Sequence, residues 1–570
     1  MESWTEYKNN YLKNRTPEEL ELIEKAFNFS RDVHRDQKRL SGAPYFSHPL
    51  AISKNIISLN FDAKTIAAAI LHDTIEDAKT PLKKIKKMFG EEVAFLVDGV
   101  TKVNAIKYKG LERTVESIKK MFLAVAEDLR VVILKIFDRL DNMETLYIHS
   151  PEKQKRIALE TLDIYASIAD RLGMGDVKAK LEDLAFRYVY PREYNWLLSQ
   201  VREKIQEREA YLKNIVPILK EELSKEKIQV VDISYRAKHY YSLWRKLLRS
   251  DMDFSRIYDL AACRIIVKDI EDCYAVLGII HKLWKPLPGR IKDYIALPKP
   301  NGYQSIHTTV FCSGKKITEF QIRTLEMHRE AEDGITSHWI WSEAGKPKDK
   351  KIRLDKFAWV EQLKNWQKEF GGKKDLSNSE FLESLKIDFF KNRIFVLTPK
   401  GDVIDLPEDA TPIDFAYAIH SEIGDSANGA KVNGVLRPLS CNLSSGDIVE
   451  ILIKKDKKPN REWLNFVKTQ NAKSRVRHYF KLPFREESSQ SFSKRQKIIL
   501  KVKDRIGLLK DVSSVFARLK INIQDLKGAA SSDKCSEIII FFTPKDISQL
   551  NQLKLKLKDI KGVEEVRMTE

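Results

Sequence analysis

Tyr303-Gln304-Ser305-Ile306-His307-Thr308-Thr309-Val310 and, after a turn through Ser313-Gly314-Lys315-Lys316, Ile317-Thr318-Glu319-Phe320-Gln321-Ile322-Arg323-Thr324 decide how the middle of this chain folds. Side chains alternate along a strand. Tyr303, Ser305 and His307 therefore share one face, as do Glu319, Gln321 and Arg323, while Phe320 and Ile322 turn away. The pattern predicts a hairpin with a polar floor and an apolar back. A half-exposed hairpin with its polar residues outward is the common origin of such alternation. Here one polar face gathers Tyr, His, Glu, Gln and Arg. Arg290, Lys292 and Lys299 stand just upstream, ahead of the turn signal Lys299-Pro300-Asn301-Gly302. Basic side chains can hold polyphosphate, Tyr303 can stack on a base, and Glu319 can act as base or metal ligand.

Upstream of the hairpin, Arg236-Ala237-Lys238-His239-Tyr240-Tyr241-Ser242 and Lys246 add cations. Asp259, in Ile257-Tyr258-Asp259-Leu260-Ala261, reads either as a Mg²⁺ ligand or as a cap. From about residue 228, short β-rich runs such as Arg264-Ile265-Ile266-Val267 alternate with helical sequence such as Asp272 to Trp284, which predicts α/β organisation.

Residues 1–195 read as helical throughout, with apolar residues at helical spacing and little internal proline or glycine. His48 sits in Pro44-Tyr45-Phe46-Ser47-His48-Pro49, and a second group is His72-Asp73-Thr74-Ile75-Glu76-Asp77. On a helix, Glu76 shares a face with His72 and Asp77 with Asp73. The segment Arg130 to Tyr147 is apolar nearly all round and should be buried, yet Asp138 interrupts it, with Asn142 and Thr145 further along the same face. A buried carboxylate is costly unless paired or metal-bound. Taken alone, Asp138 reads equally as a salt-bridge partner of Lys or Arg, and His48 as a structural histidine. Together His48, His72, Asp73 and Asp138 predict a metal site, and mixed imidazole and carboxylate ligands suit divalent ions including Mn²⁺.

The chain has 570 residues, of which 43% are hydrophobic and 32% charged, a mix that rules out disorder throughout. No apolar run of about 18 residues is present, so no membrane span is expected. Met1-Glu2-Ser3-Trp4-Thr5 leads into charged helical sequence, so no signal peptide is expected. The cysteines Cys263, Cys273, Cys312, Cys441 and Cys535 never pair at metal-ligand spacing, which excludes a zinc ribbon and fits a reducing, cytoplasmic setting. A formal charge of +19 favours anionic partners, nucleotides or RNA, although solubility alone would also account for it.

Beyond the basic, polar stretch at 345–356, residues 388–453 hold short strands around a small helix that ends near His420. Residues 454–481 carry ten Lys or Arg against two acids, with Trp463, Phe466, Tyr479 and Phe480 interleaved. This reads either as an RNA contact or as a solvated helical face. From Lys497 the order is strand, helix, strand, strand, helix, strand, the ferredoxin-like order.

The order His48, His72-Asp73, Asp138 resembles the HD phosphohydrolase superfamily. Ser41-Gly42-Ala43-Pro44-Tyr45, His72-Asp73-Thr74-Ile75-Glu76-Asp77 and Asp138-Arg139-Leu140-Asp141-Asn142-Met143 resemble the hydrolase domain of RelA/SpoT homologues, which removes the 3′-pyrophosphate of (p)ppGpp. The resemblance implies Mn²⁺ on His48, His72, Asp73 and Asp138. It also implies that Glu76 and Asp77 position or deprotonate the attacking water, with Arg39 and Asn142 toward the nucleotide. Leu40 departs from the basic residue usual there, and Asp141 and Glu144 from the His and Arg often found in that helix. Both departures remove positive charge near a polyanionic substrate.

Tyr235 to Ser242, Phe254 to Arg264 and Pro288 to Trp339 resemble the family's synthetase domain, which moves pyrophosphate from ATP to the 3′-hydroxyl of GDP or GTP. Carried over, Asp259 and Glu319 hold Mg²⁺, Glu319 activates the hydroxyl and Tyr303 stacks the guanine. Arg236, Lys238, Lys246, Lys299, Asn301 and His307 fall at nucleotide-binding positions. Arg290-Ile291-Lys292-Asp293 matches the basic signature of hydrolase-competent members. Residues 388–454 resemble the TGS domain, in which the residue matching His420 meets the tRNA acceptor end; a helix C-terminal cap is the alternative for His420. Residues 497–570 resemble an ACT domain, where Asp504-Arg505-Ile506-Gly507-Leu508-Leu509 marks either an amino-acid site or a dimerisation module.

The expected fold is therefore multidomain: an all-α HD domain (1–195), an α/β nucleotidyltransferase-like synthetase domain (196–345), a helical linker (346–387), a β-grasp TGS domain (388–454), a basic linker (455–496) and an α+β ferredoxin-like ACT domain (497–570). The expected function is a bifunctional (p)ppGpp synthetase and hydrolase. Ribosome or tRNA contact should be weak, because the zinc-finger-like region between TGS and ACT is missing. The alternatives are a member with a single activity and a ribosome- or RNA-binding regulator with decayed sites. The retained Glu76, Asp138, Asp259 and Glu319 argue against decay.

Overall fold

The computed structural model describes residues 2–101, 127–250, 252–254, 257, 260–299, 301–334, 393–454, 457–482, 496–503, 505, 507–519, 521–530, 536–543, 553, 556–557, 560 and 562–569. The expected linker at 346–387 and Asp259 lie outside the described residues. The chain forms two compact units, Met1–Leu482 and Pro483–Glu570.

The first unit begins with helices α1 (Trp4–Tyr11), α2 (Pro17–Val33), α3 (Ser47–Ser58), α4 (Ala63–Leu71), α5 (Leu82–Phe89), α6 (Glu91–Val100), α7 (Arg130–Glu144), α8 (Pro151–Glu160), α9 (Ala166–Arg171) and α10 (Gly175–Val189). Local chemistry sets their starts. Thr16 and Glu19 form a capping box ahead of α2 with Pro17 at its first position, and the Asp62 side chain accepts from Thr65 N at the start of α4. All of α4 except Lys64 is buried, as are Val131 to Asp138 in α7. Arg130 anchors the start of α7 in a cluster with Asp62, Glu92 and Asp128.

Helix α11 runs unbroken from Pro191 to Lys225, so a boundary at 195/196 falls inside it. Its Leu212, Ile215, Leu219 and Leu223 join the core of the central sheet. That sheet has strands β1 (Val230–Ala237), β2 (Ala261–Val267), β3 (Lys285–Pro286), β4 (Lys292–Asp293), β5 (Ile306–Phe311) and β6 (Ile317–Thr324), in the order β1-β2-β6-β5-β3 with β4 beside β5. Strands β2 and β6 are parallel; the other pairs are antiparallel. Cys263, Ile265, Val267, Phe320 and Ile322 face α11 and α13 (Ile270–Leu283), and α12 (Tyr240–Arg249) and α14 (Leu325–Asp333) complete the domain.

The hairpin differs from expectation at one end. β5 starts at Ile306, not Tyr303. Ser305 is fully buried, donating to Ile322 O, and its carbonyl accepts from Tyr294 N, so residues 301–305 form a loop ahead of the strand.

Bare backbone joins the helical domain to the sheet domain. A Cβ on Gly173 would meet Asn301 O at 3.1 Å, one on Gly175 would meet Ala331 O at 2.8 Å, and one on Gly334 would overlap Leu172 and Gly173. Gly173 and Gly334 also have positive φ, which L side chains resist.

Strands β7 (Arg393–Leu397) and β8 (Val403–Pro407), helices α15 (Pro412–Ile419) and α16 (Ser421–Asp425), and strands β9 (Ala427–Val432), β10 (Val435–Arg437) and β11 (Val449–Ile453) make the small third domain. The stretch expected as a basic linker is folded in part: α17 (Gln470–Tyr479) and the turn before it pack on α15. Trp463, Val467, Ala472 and Val476 form an apolar stripe against Ile413, Ala416 and Tyr417. The buried Asp414 carboxylate accepts from the backbone N–H groups of Lys468 and Thr469.

The second unit holds β12 (Gln496–Val502), α18 (Leu508–Arg518), β13 (Ile523–Ala530), β14 (Ser536–Phe542) and β15 (Val563–Thr569), in an antiparallel sheet ordered β13-β14-β12-β15. Leu553 and Leu557 bury beside Val512 and Phe516 on this sheet's core.

Candidate functional site

Two constellations form in separate domains of the first unit. The first lies among α3, the end of α4, and α7. His48 Nε2 stands 3.4 Å from both Asp73 Oδ2 and Asp138 Oδ1, and His72 Nε2 stands 3.2 Å from Asp73 Oδ1. Ligand atoms of His48, His72 and Asp138 all lie within 4.8 Å of one another. Each histidine's other nitrogen is engaged: His72 Nδ1 by Ala69 O at 2.8 Å, His48 Nδ1 by Asp141 Oδ2 at 2.6 Å. His72 Nε2 is buried with no hydrogen-bond partner. An orphaned imidazole nitrogen aimed at two carboxylates fits a divalent cation.

Asp138 is also a salt-bridge partner. Lys135 Nζ lies 2.6 Å from its Oδ2, and Asn142 Nδ2 donates to Oδ1 at 2.5 Å. Burial opposes the charged form of Asp138, but Lys135 and the two histidines outweigh it and hold the carboxyl well below its usual range. Burial likewise disfavours His48 as a cation, yet Asp138, Asp141 and Asp73 raise it to about 9.

Helix α4 stops at Leu71, so His72 to Asp77 form turns rather than the helix expected. The stacking survives, because Asp77 N bonds Asp73 O at 2.9 Å. The Tyr45 hydroxyl lies 2.8 Å from Asp73 Oδ2 and 2.6 Å from Asp77 Oδ2 and can donate to one at a time. Glu76 is half-buried in the same turn. Arg39 reaches the cluster through Asp141, at 2.8 Å, and Thr145, at 3.2 Å, while Leu40 is 74% exposed. Tyr45, Lys135 and the role of Asp141 escaped the sequence reading. Their signal was position alone: three residues before His48, and three either side of Asp138.

The second constellation is the face of β5 and β6. Register places His307 opposite Gln321 and Thr309 opposite Glu319, with Lys292 opposite His307 on the other side. Glu319 Oε1 lies 3.3 Å from His307 Nδ1 and accepts from Gln321 Nε2 at 3.2 Å. The Tyr303 hydroxyl and His307 Nε2 are 2.7 Å apart. The Lys299 ammonium sits over the rings of Tyr294, at 4.6 Å, and Tyr303, at 4.8 Å, and burial pushes its pKa down. Asn301 Nδ2 donates to Asp170 O, pinning this loop to the helical domain.

Arg290 is exposed. Lys238 follows β1, its N–H bonding Leu260 O, and Lys246 lies on α12. Arg236 lies in β1 opposite Ala262, its side chain outside the description. His420 caps α15 and accepts from Glu422 N at 3.3 Å, and is 63% exposed.

Comparisons agree with this division. The chain matches family descriptions for an HD domain over residues 26–175, a region found in RelA / SpoT proteins over 235–346, a TGS domain over 394–453 and an ACT domain over 495–567. It is 42% identical to the guanosine-3′,5′-bis(diphosphate) 3′-pyrophosphohydrolase of Aquifex aeolicus, over 95% of this chain and 74% of that protein. It is 45% identical to a GTP pyrophosphokinase of Myxococcus xanthus, over 83% of this chain and 62% of that protein. It is 42% identical to the bifunctional (p)ppGpp synthase/hydrolase RelA of Mycobacterium tuberculosis, over 82% of this chain and 64% of that protein.

One chain thus joins an HD domain, a RelA/SpoT region, a TGS domain and an ACT domain. It belongs to the RelA/SpoT family.

Proposed function

We propose that the chain both makes and breaks (p)ppGpp, as a GTP/GDP pyrophosphokinase and a (p)ppGpp 3′-pyrophosphohydrolase of the stringent response. The observation that carries this reading is the pair of separate constellations, the His48–His72–Asp73–Asp138 cluster and the Glu319–His307–Tyr303 row. In the first, His48, His72, Asp73 and Asp138 would hold Mn²⁺, which supplies an acidified water and offsets phosphate charge. Arg39 and Asn142 contact the nucleotide, and Glu76 with Asp77 orients and deprotonates the water. In the second, Glu319 takes the proton of the 3′-hydroxyl and, with Asp259, would hold Mg²⁺. Tyr303 stacks the guanine, and Arg236, Lys238, Lys246, Arg290, Lys292, Lys299, Asn301 and His307 bind the phosphates and sugars of ATP and GDP or GTP.

No helix among the described residues is long and apolar enough to cross a membrane; the proposed substrates, ATP and GDP or GTP, place the enzyme in the cytoplasm. Contact of His420 with tRNA, weak ribosome binding and an amino acid at the ACT domain complete the proposal. A second reading, a synthetase with impaired hydrolysis, draws support from exposed Leu40 and from the acid at Asp141.

The test incubates purified chain with ATP and GDP plus Mg²⁺, and separately with ppGpp plus Mn²⁺. Both products should form. Asp138→Ala should stop ppGpp breakdown and leave synthesis running; loss of both activities in a folded variant would refute the division of labour.

A further inference from the structure

We propose that Asp141 is a positioning residue that couples the metal ligands to the phosphate contact, because His48 and Arg39 engage the same carboxylate oxygen. His48 Nδ1 lies 2.6 Å and Arg39 Nη1 2.8 Å from Asp141 Oδ2. An ionised carboxylate only accepts, so Nδ1 keeps its proton, and a cation held by Asp73 and Asp138, each 3.4 Å from Nε2, would take the Nε2 lone pair in place of the second proton. A carboxylate behind a metal-binding histidine fixes its tautomer and raises its basicity.

Arg39 is held a second time by Thr145 Oγ1 at 3.2 Å, at the residue that caps the end of helix α7. Side-chain exposure of 15% for Arg39 and 11% for Asp141 keeps the pair largely out of water, where charge is poorly screened. His48 and Arg39 therefore share one oxygen, which accepts from both at once, so each bond draws on charge the other would use. When Arg39 turns to a phosphate group, Oδ2 is left to His48, whose grip on a cation strengthens. By linkage, a bound cation favours release of Arg39 to the phosphate. The acid at position 141, which in the sequence looked like a plain loss of positive charge, becomes the joint between the two halves of the site.

This proposal rests on the hydrolase reading for its substrate arm. The test uses the full-length chain, Mn²⁺ alone in calorimetric titrations, and ppGpp in steady-state assays. D141N is nearly isosteric but loses the charge. Its Mn²⁺ affinity should fall about 10-fold or more. Its KM for ppGpp should stay level or drop, because Arg39 loses its internal counter-ion. R39A should do the reverse, with Mn²⁺ affinity level or higher and KM raised. If D141N loses its helical circular dichroism, R39A alone carries the test. D141N keeping Mn²⁺ affinity within about twofold of the parent, a raised KM in folded D141N, or weakened Mn²⁺ binding in R39A overturns the proposal. Should the parent chain break no ppGpp, the hydrolase reading fails on its own, and the Mn²⁺ titrations still decide what Asp141 does to His48.

Discussion

Glu319 is the residue on which synthesis is expected to turn. It sits in mid-strand, its carboxylate 3.3 Å from His307 Nδ1 and 3.2 Å from Gln321 Nε2, so its orientation is set by two neighbours on a rigid sheet rather than by a loop. Glu319→Gln keeps the shape and removes both the basicity and the charge for a cation. Removal of a general base costs roughly 10²–10⁴-fold in rate. Synthesis measured by AMP release should fall at least that far while ppGpp breakdown continues. A variant that still synthesises normally would make the hairpin a binding surface only. The same residue shows what a sequence can disclose: the alternation of Thr318, Phe320 and Ile322 against Glu319, Gln321 and Arg323 fixes the face without any structure. The bond between Tyr303 and His307 was not readable in that way, because Tyr303 lies in a loop that tertiary contacts, among them Tyr294 N on Ser305 O and Asn301 on Asp170 O, hold in place.

At the scale of elements, α14 offers a pH test. His328 on this helix lies near Arg264, Arg323 and Glu332. Burial and the two guanidinium groups lower its pKa to about 4, with Glu332 opposing. An unfolded histidine titrates near 6.5. The neutral native form is thus favoured fully above pH 6.5, and stability is lost as pH falls toward 4, where the unfolded chain binds the extra proton. His328→Gln should flatten the fall in stability over that window in urea titrations; an unchanged slope would assign the acid sensitivity elsewhere. Elements also differ in legibility. The buried helix α7 and strand β6 announce themselves by period. The end of α4 at Leu71 does not, since Thr74 Oγ1 on Leu71 O and Thr80 N on Thr74 O, rather than a glycine or proline, mark the turn. The fold of 461–479 was hidden by its lysines and arginines, which mask the stripe of Trp463, Val467, Ala472 and Val476.

Over the whole first unit, the turn from Asp170 to Gly175 meets both neighbours. Asp170 O accepts from Asn301 in the loop ahead of β5, while Arg171 Nη2 lies 3.3 Å from Asp405 on β8, which also pairs with Arg393 at 2.7 Å. Burial lowers the Arg171 pKa to about 10 despite Asp405. Asp405→Asn would leave two guanidinium groups facing each other without their shared counter-ion. Breaking a buried pair costs roughly 3–5 kcal/mol, and the partial exposure of Asp405 places the expected loss at about 2–3 kcal/mol. Hydrogen exchange should quicken in residues 170–175 and in the loop 299–303; if only β7 and β8 respond, the turn does not link the domains. Where Gly173 and Gly334 set bare backbone on bare backbone, no rotamer can give way. Such a joint is a bearing with no room for even a methyl group, so a substitution there must move the backbone on the facing side. An enzyme with opposed activities burns ATP for nothing whenever both run together. Two lobes meshed without play can share a single clock, and any side chain larger than hydrogen at that bearing would let the two hands drift apart.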